Sequence, residues 1–319
     1  MLATNPKIDG TQNTVENILK AIPRSNPTAY SVSGTIPIPP WAKISGTNPI
    51  GAIYDSIEWH YQGIAPYNGS TTTNGVISAS STIGYFSPFS DSVVQAVVEP
   101  NADYYHCAGI QMLGTVLAAP LESDDDDDNG YVAFYDVTDP ASPTFLYSLQ
   151  MPAGKASATA ITNYTDTNGV EQCLLMVYQY DDHQMYIYRA LASAVGSGPA
   201  SVWTRSATYT GSAFDTGDQY QAFSLVTQSG SGADQVFLLG FREDEELWLY
   251  SINTSAAINS GYGSPSTVAK YTGWNGSDFR NGTGLQIVSS TALRIFGTAT
   301  DPSGGSSQTD YSFNIYVYG

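Results

Sequence analysis

The chain has 319 residues, of which 29 are Asp or Glu and 11 are Lys or Arg, so its formal net charge at pH 7 is −18. This excess of negative charge repels phosphate backbones and anionic lipid surfaces, which argues against nucleic acid and membranes as partners. Neutral or cationic small molecules, carbohydrates and divalent cations fit better. The 23 tyrosines and 30 glycines favour strands and turns over helices.

Residues 1–28 read as a polar N-terminal extension, followed by one domain over residues 29–319. Asn13, with Glu16 three positions later, matches the cap of a helix whose next apolar residues have helical spacing. Pro23 ends this segment. We expect a short helix that plugs one end or edge of the domain.

Residues 103–149 read as four short strands, at about 106–113, 115–121, 131–137 and 144–149. Residues typical of turns separate them. Apolar residues alternate or run continuously within each segment, as expected where a sheet is covered on both faces. An antiparallel meander of four strands in about 40–50 residues is the unit of a propeller blade.

The first strand of this unit recurs along the chain, each time followed by a second and a third apolar segment. Its central apolar position is occupied in the five copies by Ile64, Ile110, Ile161, Phe223 and Leu285. The sequence therefore predicts an all-β protein, a five-bladed β-propeller of four-stranded antiparallel blades.

The last copy contains only three strands before the chain ends. Residues 29–39, AYSVSGTIPIP, resemble the fourth strand of the second copy and its continuation, FLYSLQMP. We expect this N-terminal strand to complete the last blade, because pairing of the two chain ends removes the open edge that a propeller otherwise leaves.

Residues 132–149, VAFYDVTDPASPTFLYSL, resemble the short LVIVD-type repeat of a broad class of bacterial propellers. In that repeat an apolar strand ends in Asp-Val-x-Asp-Pro-x-x-Pro and continues into a leucine-rich strand. The resemblance implies membership of the β-propeller superfamily in general, and it implies no activity.

The first strands of a propeller line its central channel, and the loops that lead into them share one face. Two of the three histidines, His60 and His106, occupy equivalent first positions in neighbouring copies. We interpret them as ligands of one metal ion or as acid–base groups around one substrate; the alternative is a polar, water-filled channel. Polar residues in the same register are predicted to bind substrate: Gln62, Ser157, Thr159, Gln219, Gln221, Asn281 and Thr283.

Acidic and aromatic residues crowd the same face. The carboxylates predicted to assist catalysis near the axis are Glu58, Asp103 and Asp218. Trp59 and Tyr105 offer stacking surfaces for a sugar ring. The loops between second and third strands add more acids, among them Glu122 and residues 124–128. Such a rim favours capture of calcium or a transition metal, although acidic runs are usually solvated loops.

Three functions remain open from the sequence. The first is an enzyme with one site at the channel mouth, performing hydrolase- or lyase-type chemistry on a small neutral or cationic, carbohydrate-like substrate. The second is a lectin-like propeller, which usually repeats one pocket per blade, whereas the copies here differ in their first positions. The third is a structural or interaction propeller without catalysis.

The two cysteines, Cys107 and Cys173, are interpreted as one bridge or as isolated buried thiols.

The composition favours an extracellular protein, although the first residues do not match a secretory signal. Five Asn-x-Ser/Thr sequences occur, at Asn68, Asn163, Asn253, Asn275 and Asn281. Chance alone would produce several in so Ser- and Thr-rich a chain.

Overall fold

The computed structural model describes most of the chain in thirteen pieces. These are residues 4–35, 60–80, 85–89, 106–122, 130–140, 142–179, 183–210, 220–242, 245–257, 260–277, 279, 282–298 and 310–319. Within them no helix is long and apolar enough to cross a membrane. The predicted acids and aromatics Glu58, Asp103, Asp218, Trp59 and Tyr105 lie outside the described residues, as do Gln219 and Asn281.

The described strands form four sheets. Sheet I contains, in spatial order, β2 (Thr28–Thr35), β21 (Asp310–Tyr318), β20 (Ala292–Thr298), β19 (Thr283–Ser289), β3 (His60–Pro66), β4 (Gly75–Ser80) and β5 (Tyr85–Phe89). Sheet II contains β10 (Thr144–Gln150), β9 (Tyr131–Asp136) and β8 (Val116–Glu122), with β6 (His106–Cys107) and β7 (Gln111–Leu113) both pairing with β8.

The other two sheets follow the same meander. Sheet III contains β11 (Ala158–Thr165), β12 (Glu171–Gln179), β13 (Gln184–Leu191) and β14 (Thr204–Tyr209). Sheet IV contains β1 (Ile8–Asp9), β15 (Tyr220–Ser229), β16 (Gln235–Arg242), β17 (Glu246–Ile252) and β18 (Pro265–Tyr271). Two helices, α1 (Val15–Ala21) and α2 (Ala192–Val195), and a 3₁₀ turn at Ala200–Val202 complete the described elements.

The prediction of five blades is wrong, because the described strands make four. The copies centred on Ile64 and Leu285 belong to one seven-stranded sheet, since β19 and β3 join through a parallel bridge between Thr283 and Gly63. Gly284 permits this junction: a Cβ atom there would lie 1.8 Å from the carbonyl oxygen of Ile64. The close approach of two backbones therefore merges two sequence copies into one blade.

The ends of the chain meet in sheet I. Strand β2 pairs antiparallel with β21, from Thr28 opposite Val317 to Thr35 opposite Asp310. The first part of the predicted closing strand is thus the outer strand beside the last one, and residues 36–39 lie outside the described residues.

Burial explains why inner and outer strands differ in composition. Every residue of β8 is buried and all but one of β11, and β8 is apolar except for its last residue, Glu122. The outer strand β10 alternates between exposed and buried residues over its second half. Strands covered on both faces carry continuous apolar sequences, whereas a strand with one wet face alternates.

Helix α1 forms where it was predicted, but its cap differs. The side chain of Thr14, not Asn13, accepts the N–H of Asn17 at 3.2 Å, while Asn13 accepts the N–H of Thr14. The helix buries Val15, Ile18 and Leu19 in the apolar cluster shared by sheets IV and I. A seven-residue helix is marginal alone, so this burial stabilises it.

The innermost strands meet at the axis through residues without bulky side chains. A Cβ atom on Gly109 would lie 3.0 Å from the Cα of Ala222 and 3.1 Å from the Cβ of Ala158. Gly109 forms a parallel bridge with Ala158, which interrupts the predicted strand 106–113 between β6 and β7. Contact of this kind requires glycine or alanine, since any larger side chain would separate the blades.

The Gln111 side chain ties three of these strands together. Its Oε1 accepts the N–H groups of Ile161 and Leu225 at 2.9 and 2.8 Å, and its Nε2 donates to the carbonyl of Leu225 at 2.8 Å. Gln111 is 3% exposed. Its amide supplies hydrogen bonds that buried backbone groups need where the strands diverge from ladder geometry.

Residues 5–9, the N-terminal strap, cover the end of the propeller where first strands turn into second strands. Asn5 donates from Nδ2 to the carbonyl of Met112 at 2.9 Å and accepts the N–H of Gly114 at 2.9 Å. Strand β1 pairs in parallel with the end of β15, and the N–H of Asp9 donates to the carbonyl of Ser290. The strap thus joins sheets II, IV and I. The predicted domain boundary at residue 28 stays a prediction.

Candidate functional site

The opposite end of the propeller, the mouth face, is formed where β3, β6, β11, β15 and β19 begin and where β8, β12 and β16 end. His60 and His106 are the first residues of β3 and β6, opposite Ser80 and Glu122 respectively. Their backbones are described, and their roles as metal ligands or acid–base groups stay predictions. Gln221 also has a described backbone, near the start of β15.

Glu122 is a buried carboxylate of this face. It closes β8, is 5% exposed, and its Oε2 accepts the hydroxyl of Ser157 at 3.1 Å. The N–H of Ser157 donates to the carbonyl of Tyr178 at 2.8 Å, which fixes the serine between sheets II and III. The structure therefore brings the predicted Ser157 together with an acid that the sequence placed only in the acidic rim.

The signal for Glu122 was present in the sequence but easily missed. It follows the apolar run of β8 directly and precedes residues 124–128, so it reads as the first residue of an acidic loop. The ladder instead continues through Glu122, which is paired opposite His106. A carboxylate at the last position of a buried strand, rather than the conspicuous run after it, marks the candidate site.

Two predicted ligand-binding threonines have different surroundings. The Oγ1 of Thr159 is fully buried and lies 2.8 Å from the carbonyl of Ala118 and 3.2 Å from that of Gly109, so it ties β11 to sheet II. Thr283 is 1% exposed, and among the described residues its Oγ1 has no hydrogen-bond partner. A buried hydroxyl without a partner costs about 1–3 kcal/mol unless water or a ligand satisfies it.

The third histidine also lies on the mouth face. His183 Nδ1 is 2.9 Å from the hydroxyl of Tyr178, and the ring of Tyr178 packs edge-on against Phe223 at 5.2 Å. His183 has a φ of 50°, in the left-handed region. Gln62, another predicted ligand residue, is 7% exposed in β3. Its substrate-binding role, like that of the other predicted residues, stays a prediction.

A cluster of cations around an aromatic ring lies at the mouth end of sheet IV. The guanidinium of Arg242 lies 5.6 Å from the ring centre of Trp248, and the Nζ of Lys270 lies 5.1 Å from it. Glu246 accepts the Trp248 Nε1–H at 3.1 Å and pairs with both cations. Burial alone would raise the pKa of Glu246, but its bonds to Lys270 and Trp248 lower it overall.

Trp203 and Trp248 differ in their burial. Trp203 is 6% exposed, stacks on Phe134 and donates from Nε1 to the hydroxyl of Tyr147. Trp248 is only partly buried. An aromatic ring with a wet edge and a polar partner is a common element of ligand sites, whereas Trp203 belongs to the core.

The metal prediction stays untested. In the part of the chain that the structure describes, no group of three His, Cys, Asp or Glu side chains is placed to hold an ion. Both cysteines are free and buried. Burial, followed by the charge of Glu122, raises the pKa of the Cys107 thiol, so this sulfur stays protonated and is not a nucleophile.

No protein-family model matches the chain, and no curated protein matches it. Similar solved structures include AofleA from Arthrobotrys oligospora, with 8% identity and a TM-score of 0.43 over 94% of this chain and 74% of that one. An engineered GH43 glycoside hydrolase with endo-xylanase and exo-arabinofuranosidase activity has 9% identity and a TM-score of 0.42, over 82% of this chain and 50% of its own.

The SapL1 lectin in complex with alpha methyl fucoside has 8% identity and a TM-score of 0.34, over 77% of this chain and 90% of its own. Similarities at this level carry no argument about activity or ligand. The four sheets, each built on an antiparallel meander and with innermost strands in contact along one axis, are the observation that assigns the fold. The chain is an all-β propeller of four blades.

Proposed function

We propose that the protein is an enzyme with a single active site at the mouth face, where it acts on a small neutral or cationic, carbohydrate-like substrate by hydrolase- or lyase-type chemistry. The observation that carries the proposal is Glu122. Its carboxylate is buried, accepts the Ser157 hydroxyl and belongs to the residue paired with His106. Carboxylates and imidazoles are the commonest acid–base groups of enzymes.

The roles follow from this placement. Glu122 gives a proton to the substrate or takes one from it. Ser157 orients the Oε2 atom of Glu122 through the 3.1 Å hydrogen bond. His106 and His60 supply the second acid–base group, or they would hold a divalent metal ion, which would supply Lewis-acid polarisation of the substrate. The unpartnered hydroxyl of Thr283 would bond a substrate hydroxyl, which recovers the cost of its burial.

The charge of the chain limits the substrate. With a net charge of −18, the protein repels polyanions, and positions rich in carboxylates attract cations. A neutral sugar, or a sugar bearing an amino group, therefore meets the site at lower electrostatic cost than a uronate or a phosphate ester.

A second candidate, carbohydrate binding without catalysis, is supported by Trp248. Its ring is partly exposed at the mouth end, and Glu246 and Arg242 beside it provide an acceptor and donors for sugar hydroxyls. Aromatic faces with adjacent charged groups are typical of sugar recognition.

The test is a panel of neutral and amino-substituted chromogenic glycosides, assayed for release of the chromophore and by mass spectrometry of the sugar product, which is lighter by one water after elimination than after hydrolysis. Glu122→Gln is expected to lower kcat/KM by about 10²–10⁴-fold, the usual share of one acid–base group. Ser157→Ala should lower it less, because the serine only orients the carboxylate.

The matched control is Asp166→Asn, the same change at an exposed carboxylate in a turn far from the mouth face. It should leave kcat/KM unchanged. Saturable sugar binding with no turnover would favour the second candidate, and that binding should then weaken in Trp248→Ala. If neither turnover nor binding responds to Glu122→Gln, the site is elsewhere.

A further inference from the structure

We infer that Asn253 is the N-glycosylation acceptor among the four Asn-x-Ser/Thr sequences that the structure describes. The inference is independent of the proposed function. It rests on which asparagines are exposed, which have an uncommitted amide nitrogen, and which have a Ser or Thr hydroxyl at the amide.

Asn163 is excluded by burial. It is 2% exposed, its Oδ1 accepts the N–H of Asn5 at 2.7 Å, and its Nδ2 donates to Glu171 at 2.6 Å. A glycan on this nitrogen would displace the N-terminal strap and leave buried polar groups unpaired. Folded protein therefore cannot carry it.

The side chains of Asn68 and Asn275 each form a hydrogen bond with the backbone of another segment. The Oδ1 of Asn68 accepts the N–H of Ile287 in β19 at 2.7 Å. Asn275 is exposed, but its Nδ2 donates to the carbonyl of Ser25 at 3.0 Å. The hydroxyl of its own sequence, Ser277, is 1% exposed and donates to the carbonyl of Thr298.

Asn253 combines all three properties. It is exposed in the loop after β17. Its Oδ1 accepts the Ser255 hydroxyl at 3.0 Å and the N–H groups of Ser255 and Ala256 at 3.2 Å. No described residue accepts a hydrogen bond from its Nδ2. Three donors on the amide oxygen leave the nitrogen as the uncommitted atom of the side chain.

The reaction needs a co-substrate of defined class, an oligosaccharide linked through pyrophosphate to a lipid, together with a membrane transferase. The Nδ2 atom attacks the anomeric carbon, a C–N bond forms as the C–O bond to pyrophosphate breaks, and Nδ2 loses one proton. Lipid pyrophosphate is the leaving group. Sequences of this kind are acceptors when they lie in surface loops of secreted proteins.

The position is compatible with a ligand site at the mouth face. The loop follows β17 at its far end, where Ile252 pairs with Val236, whereas β17 begins at the mouth with Glu246 opposite Arg242. A glycan on Asn253 would therefore extend from the end that the N-terminal strap covers and leave the mouth face open.

The experiment is secretion of the full chain from a eukaryotic host, isolation of the folded monomer, and peptide mass spectrometry with enzymatic removal of N-glycans. Glycan is expected on Asn253, and both Asn253→Gln and Ser255→Ala should lose the whole glycan mass at this site. Asn275→Gln is the matched control and should keep it. The inference is overturned if Asn253 is unmodified in the folded protein, or if Asn163 carries the glycan there.

Discussion

The two ends of the propeller use their charged residues differently. At the strap end, Lys7 places its ammonium 2.7 Å from Asp234 and 2.9 Å from Glu171, which joins three segments distant in sequence. At the mouth face, the buried Glu122 meets the hydroxyl of Ser157. The ion pairs of Lys7 connect distant segments of the fold, whereas the carboxylate of Glu122 accepts a hydrogen bond from a neutral hydroxyl group.

The backbone shows the same difference. Three non-glycine residues in the described part of the chain have a positive φ, and all of them lie at the mouth end: His183, Glu245 and Phe279. The strap-end turns place glycine in such positions, for example Gly114 and Gly169. Non-glycine residues in the left-handed region cost about 1 kcal/mol or more, so the mouth face is where the fold tolerates strain.

The largest effect on stability is expected from Lys7→Met. Asp234 is 6% exposed in its side chain and would lose the cation beside it. Removing one member of a buried ion pair costs about 3–5 kcal/mol. Because Lys7 is 21% and Glu171 31% exposed, solvent screening reduces this to about 2 kcal/mol. Urea denaturation measures the change.

The control for this variant is Lys20→Met, which replaces an exposed lysine of α1. It should change the free energy of unfolding by less than about 0.5 kcal/mol. Equal effects of the two variants would show that the strap does not fasten the blades.

A smaller effect on stability is expected when the pH is lowered. Burial alone would raise the pKa of Glu171, but hydrogen bonds from Asn163, Lys7 and Thr165 lower it overall. A carboxyl group whose folded pKa is depressed stabilises the fold fully above its unfolded pKa, about 4.3 for Glu, and loses that contribution as pH falls through the folded pKa.

The free energy of unfolding should therefore fall as the pH is lowered below about 4.3, the ordinary pKa of Glu. Lys7→Met should show a shallower fall, since one of the three partners that lower the pKa of Glu171 is gone. Thermal melts of both proteins over this range provide the measurement. Parallel pH profiles would mean that the Lys7 cluster contributes nothing to acid sensitivity.

The smallest effect is expected from Glu245→Gly at the mouth face. Glu245 has a φ of 60°, which glycine adopts without steric cost, so the variant should be more stable by about 0.5–1 kcal/mol. Gly169→Ala is the matched change at the strap end. Its φ is 76° and a Cβ there meets no atom within 4 Å, so backbone strain alone should destabilise it by about 1 kcal/mol. If the two substitutions moved the melting temperature in the same direction, the proposed difference in backbone strain between the two ends would be wrong.

Much of the strand pattern was predictable because buried positions of a strand carry apolar residues, which are visible in the local sequence. The predicted strands at 131–137 and 144–149 correspond to Tyr131–Asp136 and Thr144–Gln150. The predicted strand 106–113 is interrupted because Gly109 leaves β8 to bridge Ala158. A further signal was overlooked: the residue before each aligned apolar position is small, namely Gly63, Gly109, Ala160, Ala222 and Gly284.

The number of blades was not predictable from the copies of the repeat. Counting copies assumes that each forms its own sheet, but the junction of β19 with β3 depends on backbone contact between Gly284 and Ile64, more than two hundred positions apart. The cap of the helix was also not predictable from local sequence. Thr14 and Asn13 are both good caps, and the packing of Val15 and Leu19 selects the register.

Strands, turns and the short helix follow from apolar periodicity and turn residues within a few positions of one another, so local physical chemistry is sufficient to specify them. The interactions of each carboxylate, in contrast, depend on residues that are distant in the sequence. Glu122, Glu171 and Asp234 look alike in the sequence as acids at the ends of strands. Glu122 accepts a hydrogen bond from Ser157, whereas Glu171 and Asp234 pair with Lys7, because only the tertiary packing brings those partners within reach.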